Sequence, residues 1–196
     1  MIKNTIRVNP YVYPMPVVLI GANVEGKANF MPLAWISMVE HEPHMISISS
    51  SKTHYTNKGI IENQVFSVNT PSEEMIKATD YCGLKSGKEI DKSEIFEVFY
   101  GILETAPMIQ QAPLNLECKV MKVIDTKEFI PPDKRGHYIF IGEIVQAYAD
   151  EKYLTNNIPD ISKMKPFTLT QNDNNYWKVG ERIGRAWKIG KDYSIK

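Results

Sequence analysis

The sequence predicts a mainly β fold with a few short helices (α+β), closed either as a barrel or as a sandwich of two sheets. At least six short segments are rich in branched and aromatic residues, and turn-forming residues separate them. Neither GxGxxG nor GxxxxGK[ST], the fingerprints of dinucleotide-binding and P-loop folds, occurs in the chain. Because 196 residues suffice for one full hydrophobic core, we predict a single domain over 1–196.

The strands are predicted from short apolar runs bounded by Gly, Pro and Asn. The first two form a hairpin across GANVEGKAN, where Gly21, Asn23, Gly26 and Asn29 supply the turn. A third strand follows Pro43, and the last two, rich in Val, Ile, Phe and Tyr, are joined by the turn-like PPDKRG. In chain order the predicted strands are 16–22, 28–40, 44–48, 65–70, 116–129 and 137–150.

Two helices are predicted between these strands. A short helix occupies 54–63, after the cluster SSSKT. A second helix occupies 71–82, with Thr70 as N-cap, Pro71 at the first helical position, Glu73 as the capping-box partner and Gly83 just beyond the end.

Composition and charge exclude several classes of protein. The 43% hydrophobic and 23% charged residues are typical of a folded globular chain. Lys plus Arg and Asp plus Glu both total 23, so nothing in the net charge predicts a nucleic-acid or anionic-membrane partner. No apolar run is long enough for a membrane span, and the two distant cysteines, Cys82 and Cys118, favour a reducing, cytoplasmic setting.

The C-terminal part of the chain, 150–196, differs from the rest. It is richer in Asn, Asp and Lys and has weaker periodicity, so we predict an extension laid over the core. Its large rings Phe167, Trp177 and Trp187 are expected to be buried, either against the same subunit or against a second one.

The cluster SSSKT at 49–53 lies between a predicted buried strand and a predicted helix. Free backbone N–H groups and the positive end of the helix dipole would meet there, which outlines an anion site. Ser50, Ser51 and Thr56 could add hydrogen bonds, and Lys52 could add a mobile charge suited to a phosphate. The alternative from the residues alone is that Ser and Thr only cap the helix.

An ordered series of motifs resembles the flavin reductase-like family, in particular its flavoredoxin branch. The motifs are PMPVVLIGA, AN followed by MPLAWIS, EP before an apolar strand, SSKTHYT, FSVN, YCGLKSGKEIDKSEIF and GHYIFIGEIVQAYADE. The series covers most of the chain, and its order agrees with the β-rich prediction. The resemblance implies an FMN-binding split β-barrel with Greek-key character, which commonly forms a homodimer with the flavin near the subunit interface.

The resemblance also implies which residues hold a non-covalently bound FMN. Asn29 and Trp35 would contact the flavin, with the backbone of Pro32, Leu33 and Ala34 along its edge. The ribityl chain and phosphate would be held by Ser49, Ser50, Ser51, Lys52 and Thr56. Lys92 would bring a second positive charge, and His137 and Phe167 would approach the ring. Without the resemblance, Trp35 and Phe167 are equally core residues, and Asn29 is equally a turn residue.

The function implied is an oxidoreductase that passes electrons from NAD(P)H through FMN to flavin, ferric iron, oxygen or a redox protein. The chemistry belongs to the cofactor, and no nucleophile and base pair suggests hydrolysis. Two alternatives remain open: a flavoredoxin-type electron carrier without its own nicotinamide site, and a ligand-binding module without turnover. His41 and His44 flank Glu42 and Pro43 with no Asp or Cys nearby, so we predict no metal site.

Overall fold

The computed structural model describes residues 3–194 and contains one large antiparallel sheet. Fourteen strands are present: β1 (Met15–Pro16), β2 (Val18–Val24), β3 (Lys27–Leu33), β4 (Ile36–Glu40), β5 (Met45–Ser51), β6 (Val65–Thr70), β7 (Val98–Phe99), β8 (Met108–Ile109), β9 (Leu114–Asp125), β10 (His137–Ala149), β11 (Leu154–Thr155), β12 (Ile158–Pro159), β13 (Phe167–Thr170) and β14 (Asn175–Lys178). The α-helices are α1 (Thr56–Asn63), α2 (Ile76–Leu84) and α3 (Ile161–Met164), and 3-10 turns occupy Glu73–Met75, Lys92–Glu94, Thr126–Glu128 and Glu151–Tyr153.

The large sheet is rolled into a barrel. Its strand order is β3-β2-β6-β9-β10-β5-β4, so its two edge strands, β3 and β4, are consecutive in the chain. Only Ala34 and Trp35 separate them. Because two residues span roughly 11 Å at most, the edges of the sheet must come close together. Of the barrel and the sandwich that the sequence left open, the fold is therefore the barrel, and it agrees with the split β-barrel that the resemblance implies.

Strand β2 is buried on both of its faces, which explains its nearly continuous apolar run. Ile20 and Phe66 pack inside the barrel, together with Phe140 of β10. Leu19, one position away and so on the opposite face, packs with Phe30 outside the barrel against α2 and the segment that follows it. This outer layer places the segment 82–96 over β3.

The hairpin between β2 and β3 is tighter than predicted. Its turn uses only Glu25 and Gly26, both with positive φ (53° and 79°), where glycine is unstrained. The other predicted turn residues, Gly21, Asn23 and Asn29, lie in the strands. The sequence therefore placed the hairpin correctly but made the turn too long.

Two other predicted boundaries were wrong. The predicted strand 28–40 is broken at Ala34, where the chain passes from one sheet edge to the other. The predicted helix 71–82 starts as a 3-10 turn and continues as α2 to Leu84, so Gly83 lies inside it. Thr70 is not the N-cap, because it pairs with Leu114 at the end of β6; Ser72 precedes the turn and makes no side-chain capping bond.

The C-terminal part forms a hairpin and then a segment without strands. β13 pairs with β1 on one side and β14 on the other, and Tyr176 donates a 2.8 Å hydrogen bond to Asp80 of α2. Phe167 is buried as predicted, whereas Trp177 and Trp187 are 55% and 95% exposed in their own chain, which leaves a second subunit as the other predicted surface for them. In the part of the chain described here, no helix has the length and apolar character needed to cross a bilayer.

Candidate functional site

A cleft of about 450 Å³ opens between β3, the start of α1 and the segment that follows α2. We call it the Lys92 cleft. One side of the cleft is β3 and another is the segment after α2. The outer apolar layer holds these two together, because Phe30 of β3 packs edge-to-face on Phe96, which follows Lys92 in the chain. The side chains that line the cleft and carry polar or polarisable groups are Asn29, Met31, Thr53, His54, Tyr55, Thr56, Cys82, Lys85, Ser86, Glu89 and Lys92.

A buried hydrogen bond joins β3 to α1 at the floor of the cleft. Asn29 Nδ2 donates to Thr56 Oγ1 at 2.7 Å, and the two side chains are 5% and 1% exposed. Because the Thr56 oxygen accepts this bond, its hydroxyl proton is left to donate to a ligand. The structure therefore brings together two residues that the resemblance assigned to a cofactor.

Lys92 forms the wall opposite this pair. Its ammonium donates to the carbonyl oxygens of Phe30 at 2.9 Å and Cys82 at 2.7 Å, and the residue is 4% exposed. Within residues 3–194 it forms no ion pair. Burial lowers the pKa of Lys92. A buried cation is normally paired with an anion, so this unpaired charge marks the cleft as a site for an electron-rich or anionic group.

Cys82 adds no nucleophile to the cleft. Burial raises the pKa of its thiol to about 11, so the thiol is neutral near pH 7. The role of Cys82 in the cleft is the carbonyl oxygen that receives the Lys92 ammonium.

A second cavity of about 420 Å³ adjoins the first across Thr53, His54 and Tyr55. We call it the Asn57 pocket. Asn57 is 3% exposed; its Nδ2 donates to the Ser51 carbonyl at 2.7 Å, while its Oδ1 has no hydrogen-bond partner among the described residues. A buried amide oxygen without a donor costs free energy, which indicates that a ligand or solvent donor belongs there.

Lys52 lines the Asn57 pocket but is not the mobile charge that the sequence suggested. Its ammonium is 2.5 Å from a carboxylate oxygen of Asp125 and lies 4.6 Å from the centre of the Tyr138 ring. The hydrogen bond with Asp125 raises the pKa of Lys52, and the same bond lowers the pKa of Asp125. A phosphate that used Lys52 would therefore compete with a carboxylate.

The three serines of the cluster do not share one surface, because alternate residues of β5 face opposite sides. Ser50 is fully buried, with its hydroxyl 2.9 Å from His54 Nδ1. Ser51 is bonded to Thr53 at 3.0 Å. Ser49 faces the other side of the sheet, where it lines a separate groove.

The separate groove has a volume of about 500 Å³ and is mainly apolar. We call it the Trp35 groove. The Trp35 ring is 39% exposed and stacks on His137, with 5.2 Å between centroids and 21° between planes. Its Nε1 donates to Gln171 at 3.0 Å. Residues that line the groove include Pro10, Val12, Trp35, Ile36, Ser49 and Ile139.

The predicted site residues therefore divide among different surfaces. Asn29, Pro32, Thr56 and Lys92 line the Lys92 cleft, Lys52 lines the Asn57 pocket, and Ala34, Trp35 and Ser49 line the Trp35 groove. Leu33 is part of the barrel core, and Ser50 is buried beside His54. Phe167 is 2% exposed and packs edge-to-face on Tyr176, as an anchor for the C-terminal hairpin.

Sequence reasoning missed Asn57 and Gly87. No motif singles out Asn57, because its orphaned oxygen depends on the position of β5. Gly87 packs directly on the cleft floor: a Cβ there would lie 2.0 Å from Asn29 Oδ1. Gly87 belongs to the motif YCGLKSGKEIDKSEIF that carried the resemblance, but the reason for a glycine there is visible only in the fold.

In the residues that the structure describes, no group of three His, Cys, Asp or Glu side chains is placed to hold a metal. His41 and His44 lie together at the turn after β4, with 5.4 Å between ring centroids. With two imidazoles and no third ligand, this turn offers an incomplete metal site.

Comparison with known proteins places the chain among flavin-associated proteins. The family model described as "Flavin reductase like domain" matches residues 11–170. Flavoredoxin from Methanosarcina acetivorans is 50% identical, with a TM-score of 0.88 over 96% of this chain and 98% of that one. Flavoredoxin of Desulfovibrio vulgaris (Miyazaki F) is 28% identical, with a TM-score of 0.85 over 97% and 100% of the two chains.

A third comparison supports the fold alone. The FMN-binding domain of a flavin reductases-like enzyme from Shewanella baltica OS155 is 18% identical, with a TM-score of 0.72 over 87% of this chain and 88% of that one. The architecture is therefore shared well beyond close sequence similarity.

Proposed function

The chain belongs to the flavin reductase-like domain family, and we propose that it is an oxidoreductase that binds FMN non-covalently and passes electrons from NAD(P)H to an acceptor. The acceptor would be flavin, ferric iron or a redox protein. The observation that carries this proposal is the buried, unpaired Lys92 ammonium at the wall of a cleft. Such a charge would stabilise the carbonyl oxygens of a flavin ring and the negative charge that the ring gains on reduction.

The two adjoining cavities fit the two parts of FMN. The Lys92 cleft would receive the ring, with Asn29, Pro32 and Lys92 around it. The Asn57 pocket would receive the ribityl chain and phosphate, near Thr56 and Lys52. A ribityl hydroxyl would supply the donor that Asn57 Oδ1 lacks within the described residues. Each cavity has the size of an ordinary ligand site.

The chain's own groups would have simple tasks in the reaction. When bound, FMN supplies the electron-transfer chemistry itself. Lys92 would favour the more negatively charged reduced state of the ring through its positive charge. His54 has a lowered pKa because packing removes water from part of its ring and because His137 and Lys92 are near, so it stays neutral near pH 7. A neutral His54 leaves Lys92 as the buried positive charge at the cleft, since Lys85, which also lines it, is exposed.

The remaining predicted contacts are also proposals, and they lie outside the two cavities. Ala34, Trp35, Ser49 and His137 lie on the groove side of the barrel, so they would contact a flavin only from there. Leu33 would contribute its backbone alone, since its side chain is in the core. The roles proposed for Ser50, Ser51 and Phe167 can be tested by the position of FMN in a structure of the complex.

The donor is tested by absorbance. The purified protein, loaded with FMN under anaerobic conditions, is mixed with NADH or with NADPH, and the visible flavin band is followed. We expect one of the two nucleotides to bleach the band within seconds. If dithionite bleaches it and neither nucleotide does, the NAD(P)H reductase proposal is wrong.

A second candidate is an electron carrier without its own nicotinamide site. It is favoured by two solved structures that are called flavoredoxins and are 50% and 28% identical to this chain over nearly its whole length. Reduction by a redox protein together with no reaction with nucleotides would support it. A preparation that is colourless and takes up no added FMN would instead favour a ligand-binding module and overturn both proposals.

The proposed assembly is a homodimer, as the resemblance implies for this family. Large exposed apolar side chains support it: Trp35, Met38 and Val39 at the sheet edge, and Ile183 and Trp187 near the C-terminus. Sedimentation velocity of the purified protein tests the mass directly, and a monomer at micromolar concentration would contradict it.

A further inference from the structure

The segment 179–194, which we call the C-terminal segment, is exposed along its whole described length. It contains five large apolar side chains: Val179, Ile183, Trp187, Ile189 and Tyr193, with Ile183 and Trp187 each 95% exposed. Such a concentration of exposed apolar surface marks an interaction site in a soluble domain.

The C-terminal segment has no polar attachment to the rest of its own chain. Among the described residues, its hydrogen bonds are internal, such as Ile189 N to the Arg185 carbonyl at 3.0 Å. Its four cations, Arg182, Arg185, Lys188 and Lys191, form no ion pair there. With two acids, Glu181 and Asp192, its net charge is 4 − 2 = +2.

The surface with matching chemistry lies at the edge of the barrel. The Trp35 groove is mainly apolar and borders β4, the last strand of the sheet, on which Met38 and Val39 are 59% and 47% exposed. The hairpin of β4 and β5 carries Glu40 and Glu42 and has no Lys or Arg, so its net charge is −2 with neutral histidines. Both acids are exposed and form no ion pair within residues 3–194.

The segment starts two strands away from the edge of its own groove. Lys178 pairs with Phe167 of β13, and β13 pairs with β1, whose Met15 and Pro16 line the groove. Among the described residues, however, no hydrogen bond or ion pair joins the segment to that groove, and Lys178 is instead bonded to Glu73 at 2.7 Å. The 16 residues of the segment extend to roughly 50 Å, which is enough to reach a neighbouring molecule.

The C-terminal segment lies beyond the family domain, which matches residues 11–170. It is nevertheless shared with the Methanosarcina acetivorans flavoredoxin to a large extent, because that similarity covers 96% of this chain. The segment is therefore a feature that this chain largely shares with a similar protein, in addition to the family domain.

From these observations we propose that the C-terminal segment of one copy packs on the Trp35 groove and the β4–β5 hairpin of a second copy. Trp187 and its apolar neighbours would cover the groove, and Arg182 and Arg185 would pair with Glu40 and Glu42. Each copy would give one segment and receive one, which satisfies twofold symmetry. The second copy would thereby reach Ala34, Trp35 and Ser49, which are among the proposed cofactor contacts.

This inference rests on the proposed homodimer and does not depend on FMN or NAD(P)H. The first experiment compares sedimentation of the full chain, of a chain ending at Lys178, and of Ile102→Ala. Ile102 is 63% exposed between β7 and β8, lies outside both the Trp35 groove and the C-terminal segment, and serves as the matched control. We expect truncation to raise the dimer dissociation constant at least about tenfold and the control to leave it unchanged.

The outcomes separate the two proposals. A full chain that is monomeric at micromolar concentration overturns the inference, whatever its FMN content. A truncated chain that dimerises as well as the full chain also overturns it and leaves the homodimer intact. A colourless dimer that depends on the segment supports this inference while the proposed function fails.

A charge exchange provides the second experiment and does not require truncation. One chain carries Glu40→Lys and Glu42→Lys, and the other carries Arg182→Glu and Arg185→Glu. Each alone would place like charges together and dimerise poorly, whereas a mixed dimer restores both opposite-charge contacts. We expect mixed dimers to exceed their random share by native mass spectrometry at low salt. A random distribution would overturn the inference.

Discussion

The Lys92 cleft and the C-terminal segment differ in where their side chains find partners. Asn29, Thr56 and Lys92 are each at most 5% exposed, and each is hydrogen-bonded within its own chain. Ile183 and Trp187 are each 95% exposed and lie in a segment bonded only to itself among the described residues. The cleft is thus satisfied within one chain, whereas the segment, in the proposed assembly, is covered only by a second copy. Stability changes in the cleft should not depend on protein concentration, and those in the segment should.

The largest change in unfolding free energy is expected on replacing Lys92, and it tests whether the cleft is stabilised within one chain. Lys92→Met keeps the stem but leaves the carbonyl oxygens of Phe30 and Cys82 without their donor. We expect the free energy of unfolding to fall by about 2–3 kcal/mol at every protein concentration, because buried acceptors are left unpaired. Urea unfolding measures it, with exposed Lys88→Met as the matched control. Equal effects of the two substitutions would show that Lys92 is not held as described.

A smaller effect is expected at Thr56. Thr56→Val keeps the side-chain shape and removes the acceptor of the 2.7 Å bond from Asn29. We expect a loss of about 1.5 kcal/mol in unfolding free energy and a clear loss of FMN on gel filtration. Thr5→Val, an exposed threonine near the amino terminus that lines neither cavity, is the control. Full FMN retention in Thr56→Val would remove Thr56 from the proposed cofactor site.

The hairpin between the two regions has its own pH test. Burial, and then the hydrogen bond to Asp80, raise the pKa of Tyr176 to about 12. Because this pKa exceeds the unfolded value of about 10, the stabilisation is complete below pH 10 and is lost as the pH rises towards 12. We expect Tyr176→Phe to cost about 1 kcal/mol at neutral pH and to flatten the alkaline fall of Tm. Tyr81→Phe, with Tyr81 43% exposed on the same helix as Asp80, should show the same alkaline fall as the unmodified protein.

The smallest effect at low concentration is expected at Trp187. In dilute protein, Trp187→Ala should change the unfolding free energy by less than about 0.5 kcal/mol, because the ring contacts little in its own chain. The difference from the unmodified protein should grow as concentration rises, since a dimer stabilises the folded state by mass action. Denaturation at two concentrations a hundredfold apart, about nanomolar against sub-micromolar, measures this. A constant difference would contradict the role of the segment.

The sequence was sufficient for local structure where one signal dominated. The strand 65–70 and the start of β10 at His137 are placed as predicted, because branched residues and flanking turn residues agree there. The break between β3 and β4 was missed because Ala34 and Trp35 carry no breaking signal. The capping pattern around Thr70 failed because pairing with Leu114 in the sheet outweighed it.

The site, like the fold, was predicted correctly where a local motif was present and missed where none was. Asn29, Thr56 and Lys92 were identified through motifs, and the structure places all three on one cleft. The ion pair of Lys52 with Asp125 joins positions 73 apart, and no local pattern encodes it. The division of the serines between two faces follows from strand alternation and could have been predicted. The exposure of Trp187 could not, because its burial depends on a second molecule in the proposed assembly.

The pairing of β1 with β13 brings both ends of the domain to one side, with Met15 opposite Leu169. This has a practical consequence for anyone who purifies the protein. An affinity tag at the amino end would hang beside Pro10 and Val12 on the wall of the Trp35 groove, and one at the carboxyl end would lengthen the segment proposed to enter it. Measurements of assembly therefore need a cleavable tag, or a tag inserted in the exposed loop 131–135, which lies between β9 and β10.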